Sequence, residues 1–310
     1  MLENNEITIT PDSFTPLRVE ENENNEQMRP GISYWQDVWH RFRENKIAML
    51  GLFTIVAVVL LALFGPFLSP YSYSQQFLEQ QGVGPCRQFW FGTDTLGRDM
   101  LVRVLYGARI SLAVGFVASF INLVVGVLYG AIAGLAGGRV ENIMMRIVDI
   151  FYSIPLVLTV ILLMVLMGPG LKSIFIALGL VYWVDMARIV RAQILYLKEQ
   201  DFVLAARAMG ANTRRILFRH LIPNCMGPII VTVTMCIPAA IFTEAFLSFI
   251  GLGVSAPAAS WGMMTSDAVV GIRSYPHMLF FPAMAIAITM LAFNFLGDGL
   301  RDALDPQLRK

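Results

Sequence analysis

Uncharged apolar runs recur along this chain at lengths that fit a lipid bilayer. Crossing a hydrocarbon core takes about 20 helical residues. The stretches 47–68, 110–138, 150–171, 223–243 and 274–297 each supply that length without a charged side chain, apart from the flanking residues. A sixth stretch, 173–190, is apolar for only 12 residues before Asp185, Arg188 and the following Arg191 arrive. Read alone it fits a re-entrant segment. Two things favour a crossing: Asp185 and Arg188 lie three apart, a spacing that lets them pair on one helix face, and a span end tolerates charge better than its middle. The pattern predicts an all-α membrane protein with six transmembrane helices, over 47–310. Before them, Tyr34, Trp35, Val38, Trp39 and Phe42 interleave with Arg41, Arg43 and Lys46, so 34–46 reads as an amphipathic helix at the membrane interface. Residues 1–33 are polar and acidic, and read as a disordered cytoplasmic tail without the apolar core of a signal peptide.

Within the spans, Gly126, Gly130, Gly134 and Gly138 recur every four residues, a stripe that lets helices approach closely. Packing inside one subunit is favoured over a subunit interface. Pro155, Pro238 and Pro282 should kink their helices. Glu244 is an acid at membrane depth, and two readings stay open: a pathway residue or a structural hydrogen bond. Asp149 and the group Asp185, Arg188 and Arg191 read as orienting and pairing residues.

Composition agrees with the pattern. The chain is 56% hydrophobic and 15% charged, with mean hydropathy +0.62; soluble domains carry about 25% charged residues. With the N-terminus inside, 17 of the Lys and Arg residues fall on the inner side and 6 on the outer, placing both termini in the cytoplasm. A net charge of +1 gives no reason to expect nucleic acid. Cys86, Cys225 and Cys236, with His40, His220 and His277, are too scattered to suggest a metal site. No nucleophile with a base can be assembled, so the chain does not read as an enzyme. None of Lys46, Lys172, Lys198 and Lys310 follows a glycine, so the phosphate-binding GxxxxGK[ST] loop is missing and no cofactor is expected on this chain.

Two connections stand out. The inner loop 191–222 carries helix formers up to Met209, then Gly210 as a left-handed stop, then Asn212 or Thr213 as the cap of a second short helix ending near Pro223. It would project basic side chains (Arg207, Arg214, Arg215) towards a soluble partner. The outer loop 69–107 is long and polar. There Asp94, Arg98 and Asp99 either shape a cap that meets a partner or lock the loop through mutual salt bridges.

These stretches resemble a known family. Ala205, Ala206, Gly210 and Pro223 fall on the spacing of the EAA loop of bacterial ABC-importer membrane subunits; Leu204, His220 and Ile222 replace its usual Glu, Ile and Leu. Gly92, Thr93, Asp94, Gly97, Arg98 and Asp99 match the GTDxxGRD outer-loop motif of the oligopeptide/dipeptide permease branch. Leu247 to Gly253, Ser260–Trp261–Gly262 and Asn294 to Pro306 are also similar to that branch, and within it to the C-type subunits. The resemblance implies the ABC type I importer transmembrane fold, with cytoplasmic coupling helices between the fourth and fifth spans. It also implies a second homologous permease subunit, two ABC ATPase subunits that hold ATP and Mg, and an extracytoplasmic peptide-binding protein. The implied home is a bacterial cytoplasmic membrane, and the implied substrate an oligopeptide. Dipeptides, glutathione or nickel chelates within the same branch, or a proton-coupled secondary transporter, are the alternatives.

Overall fold

A computed structural model describes residues 33–168, 170–254 and 258–305; the predicted tail 1–33 lies, but for its last residue, outside them. The chain opens with α1 (Tyr34–Glu44), started by a reciprocal cap in which Ser33 N–H donates to the Gln36 side chain. Val38 and Phe42 face inward against Ala48, Ala303 and Leu304, while Trp35 and Trp39 stay exposed. Asn45 separates α1 from α2 (Lys46–Leu68): its Oδ1 accepts from the Ile47 and Ala48 amides, satisfying two orphan donors of the new helix.

After a long loop come α3 (Met100–Ile121), a π turn at Asn122–Gly126 and α4 (Val127–Ala136), which together make one continuous span. Next are α5 (Gly138–Ser153), α6 (Leu156–Met167) and α7 (Leu171–Leu197). The short helices α8 (Asp201–Ala208), α9 (Thr213–Ile216) and α10 (Ile222–Asn224) lead into α11 (Met226–Phe249). The last elements are α12 (Trp261–Val269) and α13 (Pro276–Leu304).

Among the described residues five helices are long and apolar enough to cross a membrane, and α5 with α6 makes a sixth candidate if the bent pair is counted as one span. The kink expected at Pro155 is a sharp break that divides the stretch 150–171 between α5 and α6. The pair turns by 82° at Ile154 and Pro155. Proline lacks the N–H and disfavours helical geometry in the residue before it. The 12 residues of α6 rise only about 18 Å, less than the hydrocarbon core needs.

The second span starts at Met100, ten residues earlier than its charge boundary predicted. Arg109 therefore lies inside α3, where its Nε and Nη2 donate to the carbonyls of Ala62 and Leu63 at 2.6 and 2.7 Å. Pro66 explains the first contact. A proline at 66 has no N–H for the carbonyl four residues back, and the guanidinium fills that vacancy from the neighbouring helix.

The glycine stripe packs within the subunit. A Cβ on Gly126 would meet Met186 and the Trp183 carbonyl, one on Gly130 the Ala187 backbone, and one on Gly134 the Arg191 carbonyl and Ile194. Three of the four glycines thus seat α4 and its π turn on α7. Gly138 does not belong to the seam: it has φ +57° and open space around it, at the start of α5.

Candidate functional site

The inner end of α7 runs through a turn into α8, whose Val203 is buried while Phe202, Leu204, Ala205 and Arg207 are exposed and Ala206 is half-buried. Gly210 follows with φ +80° and nothing within 4 Å of where a Cβ would stand. The chain then reverses, and Asn212 caps α9, its Oδ1 accepting from the Arg215 amide at 2.8 Å. The second helix ends close to Pro223, as the sequence predicted. It widens into a π turn over Leu217–Leu221, where Ile222 N–H reaches the Leu217 carbonyl, and continues to Asn224. A π turn bonds five residues back, so the chain keeps a helical path despite the donor that Pro223 lacks.

This hinge has two faces. Val203, Ile216, Leu217 and Leu221 pack with Met186, Val190 and Ile194 of α7 and with Cys225 and Ile229 at the start of α11. Its outer face exposes Arg207, Met209, Arg214, Arg215 and Phe218, with Pro223 at its far end. A mixed basic and apolar surface on a packed base suits docking into a protein groove, and a push on it is delivered to α7 and α11.

Arg188 is not paired with Asp185, as the helix spacing predicted. It donates to Asp149 on α5 at 2.9 Å and lies 4.2 Å over the Tyr152 ring. Arg191 bonds Glu141, also on α5, with Nε at 2.7 Å. The two arginines, three apart on α7, reach across to α5 instead of along their own helix, and Asp185 stays exposed. A long guanidinium finds a better partner on a packed neighbour than a short carboxylate one turn away.

At the opposite end, Asp94 organises the 69–99 loop. Its Oδ1 accepts from the Leu96 and Arg98 amides, and its Oδ2 from Arg98 Nε at 2.6 Å, with Arg103 Nε at 3.5 Å. Asp94, Arg98 and Arg103 are all buried, so this is an enclosed salt-bridge knot. Arg103, which the motif does not include, also donates to the Tyr73 carbonyl. Asp99 stands outside the knot and caps α3 through the Leu101 amide. Burial pushes its carboxyl above the ordinary value, against backbone hydrogen bonds that lower it. Gly92 and Gly97, at φ +77° and +68°, make the turns on either side, and Thr93 bridges the Gln80 carbonyl and the Val83 amide.

Glu244 lies between the two ends, fully buried. Its Oε1 accepts from Ser248 and Ser260 at 2.9 and 2.6 Å, and its Oε2 from Ser111 at 3.1 Å. Ser260 also caps α12, and Ser111 accepts from the Trp261 amide. One carboxyl group thus ties α3, α11 and the start of α12. Ser248 is one turn along the same helix from Glu244, whereas Ser260 and Ser111, 16 and 133 residues away, escaped sequence reasoning because only the fold brings them near.

Comparison with known proteins places this geometry. The family described as binding-protein-dependent transport system inner membrane component matches residues 126–310, and the N-terminal TM domain of oligopeptide transport permease C matches residues 33–85. The chain is 53% identical to the dipeptide transport system permease protein DppC of Bacillus subtilis (strain 168), over 97% of this chain and 94% of that protein. Against the oligopeptide transport system permease protein OppC of the same strain, identity is 51% over 97% and 99%. Against OppC of Escherichia coli (strain K12), it is 43% over 90% and 93%. Among solved structures, an inward-facing MetNI methionine ABC transporter matches with TM-score 0.57 and 22% identity, over 66% of this chain and 98% of that one. That likeness concerns the fold, which is the ABC-importer transmembrane fold the sequence motifs implied.

Proposed function

This chain belongs to the binding-protein-dependent transport system inner membrane component family, as a permease subunit of the oligopeptide/dipeptide ABC importers, and from that premise we propose that it forms one half of a peptide pathway driven through the 199–222 hinge. The family's working requires ATPase subunits and a binding protein. The stoichiometry of two ATPases and one second, homologous permease is our reading, as is the cytoplasmic position of both termini. ATP and Mg belong to the ATPase subunits, since this chain has no lysine in a GxxxxGK[ST] context.

The observation that carries the proposal is the hinge itself: a basic, exposed face on α8 and α9, joined at Gly210, with its inner face packed on α7 and α11. Closure of the ATPase pair moves this face, and the cavity between the two permeases switches from inward- to outward-facing, to receive peptide from the binding protein. The loop knitted by Asp94 and Arg98 is the surface we assign to that protein. For the substrate we read an oligopeptide. The match of 33–85 to the oligopeptide permease C domain supports this, although relatives named for dipeptides and oligopeptides are nearly equally similar.

Gly210→Val tests the coupling. At φ +80° an L-residue costs about 1–2 kcal/mol, so the hinge should shift to another backbone shape. In the complete reconstituted transporter, ATP hydrolysis should persist while peptide uptake is largely lost. Uptake at the unaltered rate would sink the hinge assignment. Competition of labelled uptake by dipeptides against longer peptides decides substrate length.

A further inference from the structure

The helices α2, α3 and α13, with part of the 69–99 loop, line a half-open cavity of about 860 Å³ away from the 199–222 hinge. Its origin is a wedge. Towards the inner end α2 is pressed onto α13, where a Cβ on Gly51 would meet the Ala292 carbonyl and Phe295, and Gly299 faces Ala48. Towards the 69–99 loop α2 leaves α13 for α3: Gly65 abuts Leu105, and Arg109 holds the Ala62 and Leu63 carbonyls. Between the diverging helices the walls are Val58, Leu61 and Leu68 from α2, and Met284, Ala285 and Ile288 from α13.

The lining is almost entirely hydrocarbon, and Leu61, Leu68, Met284 and Ile288 are exposed at its edge. All four sit on helices long and apolar enough to cross a membrane, where an exposed apolar edge suits lipid better than water. The mouth is different. Arg87 and the exposed Trp90 line it from the loop, and Arg87 has no ion-pair partner among the described residues. The acid that lines the same cavity, Asp99, is buried and occupied as the cap of α3. A free cation and an indole at the rim of an apolar slot match a phospholipid, phosphate at the interface and chain inside.

We propose that this cavity is a binding site for an anionic phospholipid from the leaflet bordering the 69–99 loop, with an acyl chain between α2, α3 and α13 and its phosphate at Arg87. Hydrocarbon gains little by moving from bilayer to protein, so the headgroup contact sets the preference. The site needs only the membrane span and holds whatever the substrate is.

The test uses the complete transporter in nanodiscs of phosphatidylglycerol and phosphatidylcholine in equal amounts, one or the other carrying a photoreactive acyl chain. Cross-linked peptides are mapped by mass spectrometry. The phosphatidylglycerol probe should label the second half of α2, the start of α3 and residues 281–289 more strongly than the phosphatidylcholine probe. Arg87→Gln, a change at an exposed side chain, should lower the phosphatidylglycerol labelling about fivefold, one basic residue's share of anionic-lipid attraction, and leave phosphatidylcholine unchanged. Ala285→Trp, which fills the slot, should abolish both. Equal labelling by the two probes, indifferent to Arg87→Gln, would overturn the proposal. So would labelling confined to the outward face of α2 around Phe53, or cross-links from the cavity peptides to another protein chain.

Discussion

Glu244 illustrates how a single side chain can hold three helices in place. Its two oxygens take three serine hydroxyls from α3, from α11 and from the cap of α12. A hydrogen bond contributes about 0.5–1.5 kcal/mol, and leaving buried partners unsatisfied costs a further 1–3 kcal/mol each. Glu244→Ala should therefore lower the thermal unfolding temperature of the purified subunit markedly. Glu244→Gln, which keeps an acceptor and the shape, should lower it less. Equal effects of the two changes would show that the hydroxyl bonds matter little. The bonds to Ser111 and Ser260 support the packing role over the pathway role left open by the sequence, and the two variants test it.

At the scale of elements, helices correct one another's defects. Pro66 leaves the Ala62 carbonyl of α2 without its backbone donor, and Arg109 of α3 supplies one. A double-mutant cycle checks this directly. Arg109→Ala should speed amide exchange in the last turns of α2, and the loss should be smaller in a Pro66→Ala background, where the backbone donor returns. The expected coupling is about 1 kcal/mol; additive effects would disconnect the two residues. The α4–α7 seam has the opposite character, since it depends on the lack of side chains. Gly130→Val would push a methyl group into the Ala187 backbone, at a cost of at least about 1–3 kcal/mol. It should reduce the yield of folded subunit in the membrane, measured by detergent-resistant monodisperse material.

For the whole molecule, orientation is the property with the simplest chemical reading. Cys86 is exposed on the long loop, whereas Cys225 and Cys236 are buried. A membrane-impermeant maleimide should label the intact subunit from outside the cell at Cys86, and Cys86→Ser should remove the signal. Labelling only in inverted vesicles would reverse the proposed topology and move the 199–222 hinge to the wrong side for ATPases. The basic residues that motivate the orientation include Arg188 and Arg191, which the fold ties to Asp149 and Glu141. Their weight in the count is thus less than that of Arg207, Arg214 and Arg215, which are exposed on the hinge.

Apolar length determined where most spans lie, because a bilayer demands about 20 residues without charge regardless of their neighbours. Local backbone rules made the hinge legible too: Gly210 takes the left-handed stop and Asn212 the cap, both dictated within a few residues. What the sequence could not decide were contacts between distant segments. Arg109 inside a span, Arg188 bonded to Asp149, Arg103 in the loop knot and Ser111 and Ser260 beside Glu244 all depend on which segment lies beside which. The break of α5 from α6 had a signal in Pro155, but its 82° angle did not, since a missing hydrogen bond permits a bend and the packing of the surrounding helices sets its size.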